Sequence, residues 1–265
     1  MKVKIFASML VAITLFFISC FDIEEKIQIN KDNSGAYMVS IDMGNILKMT
    51  SQMAGNQKDS SKVPEKKDST IYLKSFVDTA TNLSAEEKRL MRNGSLRMKV
   101  DEANNEMKLI LNFPFVNFAD LSRIRESYVA TLNKIGALQK IGKNGNEENG
   151  EEEMPKTLGP GNNTLNPLHD TYTFSAVPGK ITNKFTNKEL FDKKISADSS
   201  LQMMQQMSAI MGDFNYKTII IIPRAAKKFA GNEAQISADK KTITFHTSLT
   251  DLLNRPAAGE FELEY

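Results

Sequence analysis

The sequence is poor in the residues from which most catalytic and metal sites are built. Its 265 residues include one cysteine, two histidines and no tryptophan. A single cysteine excludes an internal disulfide, a cysteine-based zinc cluster and a two-thiol redox motif. Two histidines without a cysteine partner make a poor zinc site. We therefore expect a protein without a metal or cofactor and without enzymatic activity.

A surplus of charge of one sign is also missing. Lysine and arginine together number 34, and aspartate and glutamate number 32, which leaves a net charge of +2. Because proteins that bind nucleic acid normally carry a concentrated cationic surplus, we expect no nucleic-acid partner. With 41% hydrophobic and 25% charged residues, the chain is neither a disordered acidic tail nor a polytopic membrane protein.

Near the start of the sequence, a short cationic segment is followed by an uncharged apolar run, which covers residues 5–18. The run is shorter than the roughly 20 residues that a membrane-spanning helix needs, and its length is typical of a signal-peptide core. Ser19 and the sole cysteine, Cys20, follow it directly. This order resembles the lipobox of bacterial lipoproteins, which signal peptidase II cleaves before the cysteine, with Phe17 where leucine is usual.

The resemblance implies that residues 1–19 are a lipoprotein signal peptide and that Cys20 becomes the lipidated first residue of the mature chain. A diacylglycerol would be linked to its sulfur, and a third acyl chain to its amine. Because each buried methylene contributes about 0.8 kcal/mol, two or three acyl chains make the anchor practically permanent. A buried thiol in a secreted protein and an uncleaved membrane anchor are the alternatives.

The residues after the cysteine bear on the location in the envelope. Phe21 follows Cys20, where aspartate would signal retention in the inner membrane. We therefore expect the outer membrane, with a domain that faces the periplasm or the cell surface. The acids Asp22, Glu24 and Glu25 are similar to the export tag of surface lipoproteins in the Bacteroidetes group. A solvated face of a strand explains the same three acids.

Alternation of apolar and polar residues dominates the rest of the chain and predicts antiparallel hairpins. Two predicted hairpins cover residues 22–43 and 96–113. Further strands are predicted at residues 172–177, 180–185, 214–222, 242–246 and 260–265. With four or five helices beside eight or nine strands, we expect one α+β domain over residues 20–265. Its sheet would be predominantly antiparallel, with a few packed amphipathic helices.

The predicted helices have distinct sequence signals. Ser84 and Glu87 have the spacing of a capping box, which opens a short helix. Apolar residues at helical spacing predict an amphipathic helix over residues 118–135. A third helix, rich in methionine, is predicted over residues 201–211.

The stretch at residues 140–170 is rich in glycine, asparagine, glutamate and proline. Such a stretch buries too little apolar surface to offset the entropy lost on ordering, so we expect a disordered insertion. Its five glutamates between positions 147 and 153 lack the alternating ligands and the turn glycine of a calcium loop. A solvated run of charge is the simpler interpretation.

The two histidines are the residues to test for catalysis. Asp170 follows His169 and could orient it as a general base, but adjacent side chains seldom point to one site. No Gly-x-Ser-x-Gly motif accompanies the pair. His246 falls on the polar face of its predicted strand. A hydrolase would need a pocket that gathers His169 or His246 with a serine and a carboxylate, and it is the least favoured alternative.

The methionine-rich helix is the candidate binding groove. Its apolar face would carry Leu201, Met204, Met207 and Met211. Methionine lines adaptable apolar grooves, and it also fills irregular gaps in cores. Met203, Met207 and Met211 are four apart, and thioethers at that spacing could hold Cu(I). Packing of an ordinary apolar face is the simpler interpretation. We expect this face to be core or an apolar groove for a lipid or a partner, and not a metal site.

The two ends of the mature chain carry a family resemblance. The segment 214–265, with Pro223, Asn232 and ISADKKTITF at 236–245, resembles the end of the LppM-like lipoprotein domain. The sequence from Cys20 to Gly35 is similar to the first hairpin of that family. The resemblance implies an extracytoplasmic α/β module that is not known as an enzyme. Contact with envelope lipid or glycolipid has been suggested for such modules, and no binding residues can be carried over.

These features predict a lipid-anchored envelope lipoprotein that acts as a non-catalytic binding or assembly module. One partner would be the membrane, through the N-terminal lipid. The other would be an envelope lipid or glycolipid. In the alternative, the chain is a structural scaffold subunit for another envelope protein.

Overall fold

The structure of the protein, a computed structural model, describes residues 21–45, 47–48, 64–138 and 168–265. Cys20, the predicted signal peptide and most of the insertion predicted at 140–170 lie outside these ranges. At the end of that stretch, Leu168 is buried and His169–Thr171 form a turn of 3₁₀-helix. Residues 168–170, at the end of the predicted insertion, are therefore structured.

The described residues contain twelve strands and six α-helices, which confirms the α+β fold class. The strands are β1 (Phe21–Ile29), β2 (Gly35–Asp42), β3 (Lys66–Tyr72), β4 (Ser95–Asp101), β5 (Glu106–Phe115), β6 (Tyr172–Val177), β7 (Lys180–Phe185), β8 (Phe214–Ile221), β9 (Lys228–Gly231), β10 (Gln235–Ile236), β11 (Thr242–Ser248) and β12 (Phe261–Glu264). The helices are α1 (Lys74–Thr79), α2 (Ala85–Met91), α3 (Asp120–Lys134), α4 (Lys188–Ala197), α5 (Ser199–Met211) and α6 (Leu249–Asn254).

Eight strands form the larger sheet, in the order β10-β11-β8-β1-β2-β5-β4-β3. Each adjacent pair is antiparallel except β1 and β8, which run parallel. Phe21 pairs with Phe214 at the start of this parallel pair. The pairing joins the first predicted hairpin to the C-terminal strands and makes β1 a central strand.

One face of the larger sheet forms the core. In β1, Ile23 and Ile27 are buried, and they lie opposite Ile41 and Tyr37 of β2, which are buried too. The same face continues through Leu111 and its neighbours in β5. Because side chains alternate along a strand, the intervening charged and polar residues lie on the opposite face. The period-two pattern of the sequence therefore gave the correct inward face of both predicted hairpins.

Four strands form the smaller sheet, in the order β6-β7-β12-β9, with every pair antiparallel. It meets the larger sheet through the stacked rings of Phe261 and Phe245, whose centroids are 4.8 Å apart. Gly231 of β9 lies against this ring pair. A Cβ added at Gly231 would be 2.6 Å from the Phe245 ring, so only glycine fits without a shift.

The long helix α3 packs on the core face of the larger sheet. Tyr128 of α3 lies against Tyr37 of β2 and Phe113 of β5, with ring centroids 5.7 and 5.6 Å away. The helix falls within the predicted range 118–135. The predicted capping box is also present, because Ser84 Oγ accepts from the Glu87 amide and the Glu87 carboxylate accepts from the Ser84 amide.

The prediction of eight or nine strands is wrong. Two of the additional strands, β3 and β9, lie at the edges of the larger and the smaller sheet. Their residues are exposed or half-buried, so neither strand carries the alternation of apolar residues from which strands are predicted. The prediction of four or five helices is also too low for the described residues, because α1, α4 and α6 were not predicted.

Candidate binding site between the two sheets

Glu25 is a charged residue on the core face of the larger sheet. In β1 it lies two residues from both Ile23 and Ile27, so the three side chains point to the same face. The exposed fraction of Glu25 is only 9%. Its neighbours across the sheet are Val39 of β2 and Thr218 of β8. The interpretation of Glu25 as part of a solvated strand face is therefore wrong, since this face packs inward.

Arg125 of α3 is the counter-ion of Glu25 and is 8% exposed. Its Nε donates to Glu25 Oε1 at 2.5 Å, and its Nη2 donates to Glu25 Oε2 at 3.2 Å. Its Nη1 donates to Asn183 Oδ1 of β7 at 3.3 Å. The guanidinium carbon also lies 4.5 Å from the ring centroid of Phe174 in β6. One helical side chain therefore contacts both sheets.

The ion pair fixes the protonation of the groups around it. Burial alone raises the pKa of Glu25, but the Arg125 charge and hydrogen bonds from Arg125, Tyr37 and Thr218 outweigh it and lower the pKa below the ordinary value. Burial opposes the charge of Arg125, yet Glu25 raises the pKa of this guanidinium overall. Burial and the Glu25 charge raise the pKa of the Tyr37 and Tyr128 hydroxyls. At neutral pH the pair is charged and both phenols are protonated.

A partly enclosed cavity of about 70 Å³ adjoins this pair between the two sheets. Most of its other polar lining residues carry hydroxyl groups: Tyr37, Tyr128, Tyr172, Tyr216, Thr218 and Thr247. Tyr216 of β8 and Thr247 of β11 are directly paired across the sheet. Their hydroxyl oxygens are buried and have no hydrogen-bond partner among the described residues. Two of the residues that line the cavity therefore have hydroxyl groups that the described protein leaves unsatisfied.

The structure separates the residues considered for catalysis. His169 lines the cavity, whereas His246 precedes Thr247 in β11 and so points to the opposite face of the sheet. Asp170 binds the nearly buried ammonium of Lys194 at 2.8 Å. Among the described residues that line the cavity, none is a serine or a cysteine. The described lining residues therefore do not bring a serine together with a histidine and a carboxylate at this cavity.

The face predicted as a groove on the methionine-rich helix lies on α5. Leu201 and Met204 are buried in the core, with exposed fractions of 0% and 1%, and Met207 packs against the core while partly buried. The side chain of Met211 is outside the described set. The cavity between the sheets is lined by other residues. The apolar groove at this helix stays a prediction.

The described residues contain neither a cluster of metal ligands nor a membrane-spanning helix. Across residues 21–45, 47–48, 64–138 and 168–265, no group of three or more His, Cys, Asp or Glu side chains is placed to hold a metal ion. Within the same ranges, no helix has the length and apolarity needed to cross a membrane.

The polar residues of the cavity were not identified as a site from the sequence. The sequence did show one unusual feature, because the carboxylate of Glu25 falls between Ile23 and Ile27 on the apolar face of the predicted strand. Arg125 gave no comparable signal, because arginine is common on helices beside an apolar stripe. The unsatisfied hydroxyls of Tyr216 and Thr247 depend on tertiary packing and have no local pattern.

Comparisons with known proteins give little more than a distant structural similarity. No protein-family model matches the chain, and no curated protein matches it. Among solved structures, the chain is similar to the folded domain of the LppM protein of Mycobacterium tuberculosis. That similarity has a TM-score of 0.33 and 8% sequence identity, and it covers 95% of this chain and 94% of the other.

Proposed function

We propose that the chain is a bacterial lipoprotein, anchored to the envelope through lipid on Cys20, whose folded domain acts as a non-catalytic binding module. The observation that carries the proposal is the position of the only cysteine, directly after Ser19 and the apolar run 5–18. The order of a cationic start, an apolar run, a small residue and cysteine is what lipoprotein processing requires. A lone structural cysteine has no reason to fall at this position.

The start of the fold is compatible with an anchor at Cys20. Phe21, the next residue in the sequence, begins β1, which is a central strand of the larger sheet. An anchor at this point would hold the nearby end of the sheet close to the bilayer. Two or three acyl chains would then keep the domain at the membrane throughout its life.

The non-catalytic part of the proposal is supported by the electrostatics of the cavity. A general acid or base needs a pKa near the working pH and a proton that it can exchange with a substrate. Glu25 has a lowered pKa and is engaged by Arg125, Tyr37 and Thr218. A carboxylate held in this way suits a structural or binding role. The expected ligands and partners, an envelope lipid, a glycolipid or another envelope protein, stay predictions.

The test is metabolic labelling of the full-length chain in a Gram-negative host with an alkyne fatty acid, followed by separation of inner and outer membranes. The wild-type chain is expected to carry the label and to fractionate with the outer membrane. Cys20→Ala should lose the label and leave the membrane fraction or stay as an unprocessed precursor. Ser19→Ala is the matched control, because alanine is another small residue before the cysteine, and it should keep the label.

Two results would contradict the proposal. The first is a labelled Cys20→Ala variant, because it would place the acyl chain on another residue. The second is an unlabelled wild-type chain that leaves the membrane fraction in the same host. Labelled protein in the inner membrane would overturn only the expected location.

A further inference from the structure

We propose that the cavity between the two sheets binds a small uncharged polyol. This inference deepens the binding role in the proposed function by naming a site and a class of ligand. It does not depend on the lipid anchor. Absence of lipid at Cys20 would leave it standing, and failure to bind a polyol would leave the anchor standing.

The first argument is the pair of unsatisfied hydroxyl groups. Tyr216 and Thr247 are cross-strand partners, so their side chains lie side by side on the same face of the sheet. A buried hydroxyl without a partner has lost its hydrogen bonds to water and gained none in return, which is unfavourable. Burial raises the pKa of Tyr216, so its hydroxyl stays protonated and can both donate and accept. A ligand with adjacent hydroxyl groups would satisfy both residues at once.

The second argument is that the charged residues of the lining are already paired. Glu25 is bound by Arg125 through two hydrogen bonds. The ammonium of Lys217 donates to Glu24 at 2.9 Å on the opposite face of the sheet, so it does not offer a charge to the cavity. An ionic ligand would lose its hydration and would have to compete for one of these partners. A neutral ligand has no such cost, so the site favours an uncharged molecule.

The third argument is the size and composition of the walls. A buried water needs about 10–15 Å³, so a cavity of about 70 Å³ holds several waters or one small molecule. The rings of Tyr37, Tyr128, Tyr172 and Phe261 are among the lining residues. Rings offer surfaces for C–H groups, and the hydroxyls offer hydrogen bonds. Polyols carry both kinds of group on adjacent carbons.

The test uses saturation-transfer NMR on the purified full-length protein, whether or not it is lipidated. Erythritol is the polyol, and acetate is the small charged molecule. The test variant is Tyr216→Phe with Thr247→Val, which removes both hydroxyls and keeps the side-chain shapes. Tyr265→Phe is the matched control, because it removes another buried tyrosine hydroxyl from a residue that is not among the cavity-lining residues.

The proposal predicts an erythritol signal for the wild type and for Tyr265→Phe, a signal at least fivefold weaker for the double variant, and none for acetate. Should the double variant unfold, the single variants Tyr216→Phe and Thr247→Val should each show the weaker signal. Equal erythritol signals in all variants would overturn the site. A wild-type protein without any erythritol signal would overturn the ligand class, and the cavity would then hold water alone.

Discussion

Glu25 of β1 and Arg125 of α3 lie 100 residues apart in the sequence and form a buried ion pair joined by two hydrogen bonds. The pair sits where the long helix and the two sheets meet, since Arg125 also reaches Asn183 of β7 and the Phe174 ring of β6. Taking two charges out of water is costly. The fold tolerates that cost because each charge has its partner in place.

Removal of one member of this pair should therefore be much worse than removal of both. We expect Arg125→Met to lower the free energy of unfolding by about 3–5 kcal/mol, because Glu25 is left buried and unpaired. The double variant Arg125→Met with Glu25→Leu should recover a large part of that loss. Urea denaturation followed by circular dichroism measures both.

The control for this experiment is Arg97→Met. Arg97 pairs with Asp68 on the exposed surface of the larger sheet, so this variant should change stability only slightly. If Arg125→Met lowers the free energy of unfolding as little as Arg97→Met does, loss of Arg125 does not leave a costly unpaired charge in the core.

The free energy of unfolding should fall as the pH is lowered below 4.5, the ordinary pKa of a glutamate. Protonation of Glu87 should be one cause. Hydrogen bonds from Lys134 and from Ser84 lower the pKa of Glu87 to about 2 from an ordinary value of 4.5. A carboxyl with a lowered pKa in the folded state stabilises the fold above the unfolded pKa. That contribution is lost as the pH falls from about 4.5 toward 2.

The variant that tests this pH dependence is Glu87→Gln. It should unfold more readily at pH 6 and show a shallower loss of stability between pH 4.5 and pH 2. Thermal unfolding across this pH range measures the slope. Glu189→Gln is the control, because Glu189 is exposed in the first turn of α4. A wild-type slope in Glu87→Gln would contradict the assignment.

Even the smallest side chain at position 231, in place of Gly231, should destabilise the protein. A Cβ at this position would lie 2.6 Å from the Phe245 ring and 3.0 Å from Phe261 Cβ. Since both rings are held between the sheets, we expect Gly231→Ala to destabilise the protein by about 1–3 kcal/mol. The exposed neighbour Ala230 provides the control, as Ala230→Ser should be near neutral. Equal stabilities in guanidinium denaturation would show that the smaller sheet can shift to accommodate a methyl group.

The anchor and the fold together predict which end of the larger sheet faces the bilayer. Strand β1 runs from Phe21 to Ile29, a length of roughly 26 Å at about 3.3 Å per residue. Asp32 lies in the turn beyond its far end. Thr250 follows β11, whose last residue, Ser248, pairs with Asn215 beside Asp22. Thr250 is therefore at the end of the sheet where Phe21 begins β1.

This orientation can be measured with single introduced cysteines, because lipidation would block the sulfur of Cys20. Fluorophores on Thr250→Cys and Asp32→Cys would be compared in nanodiscs that contain nitroxide-labelled lipid. Quenching should be clearly stronger at position 250 than at position 32. Stronger quenching at position 32 would mean that the Phe21 end of β1 does not face the bilayer.

The local part of the fold could be predicted from the sequence. The first hairpin, the capping box at Ser84 and the long amphipathic helix all follow from patterns within about 20 residues. The edge strand β3 could not be predicted in this way, because Ile71 is the only aliphatic residue in it. The parallel pairing of β1 with β8 joins residues 193 apart, such as Asp22 and Asn215, and no local pattern encodes it.

The site shows the same limit. Glu25 could have been recognised as unusual, since it is a carboxylate on the same face of β1 as the isoleucines. Its partner could not, because the choice of Arg125 over Arg123 depends on how α3 is rotated against the sheet. The cavity at Tyr216 and Thr247 arises only when β8 and β11 pair and the smaller sheet covers them.

The central claim is that lipid on Cys20 holds this domain at the envelope. Tandem mass spectrometry of the N-terminal peptide of the full-length protein, purified from membranes, tests it most directly. We predict a peptide that begins at Cys20 and carries the added mass of a diacylglycerol and an amide-linked acyl chain. A peptide that retains residues 1–19, or that begins at an unmodified Cys20, would contradict the claim.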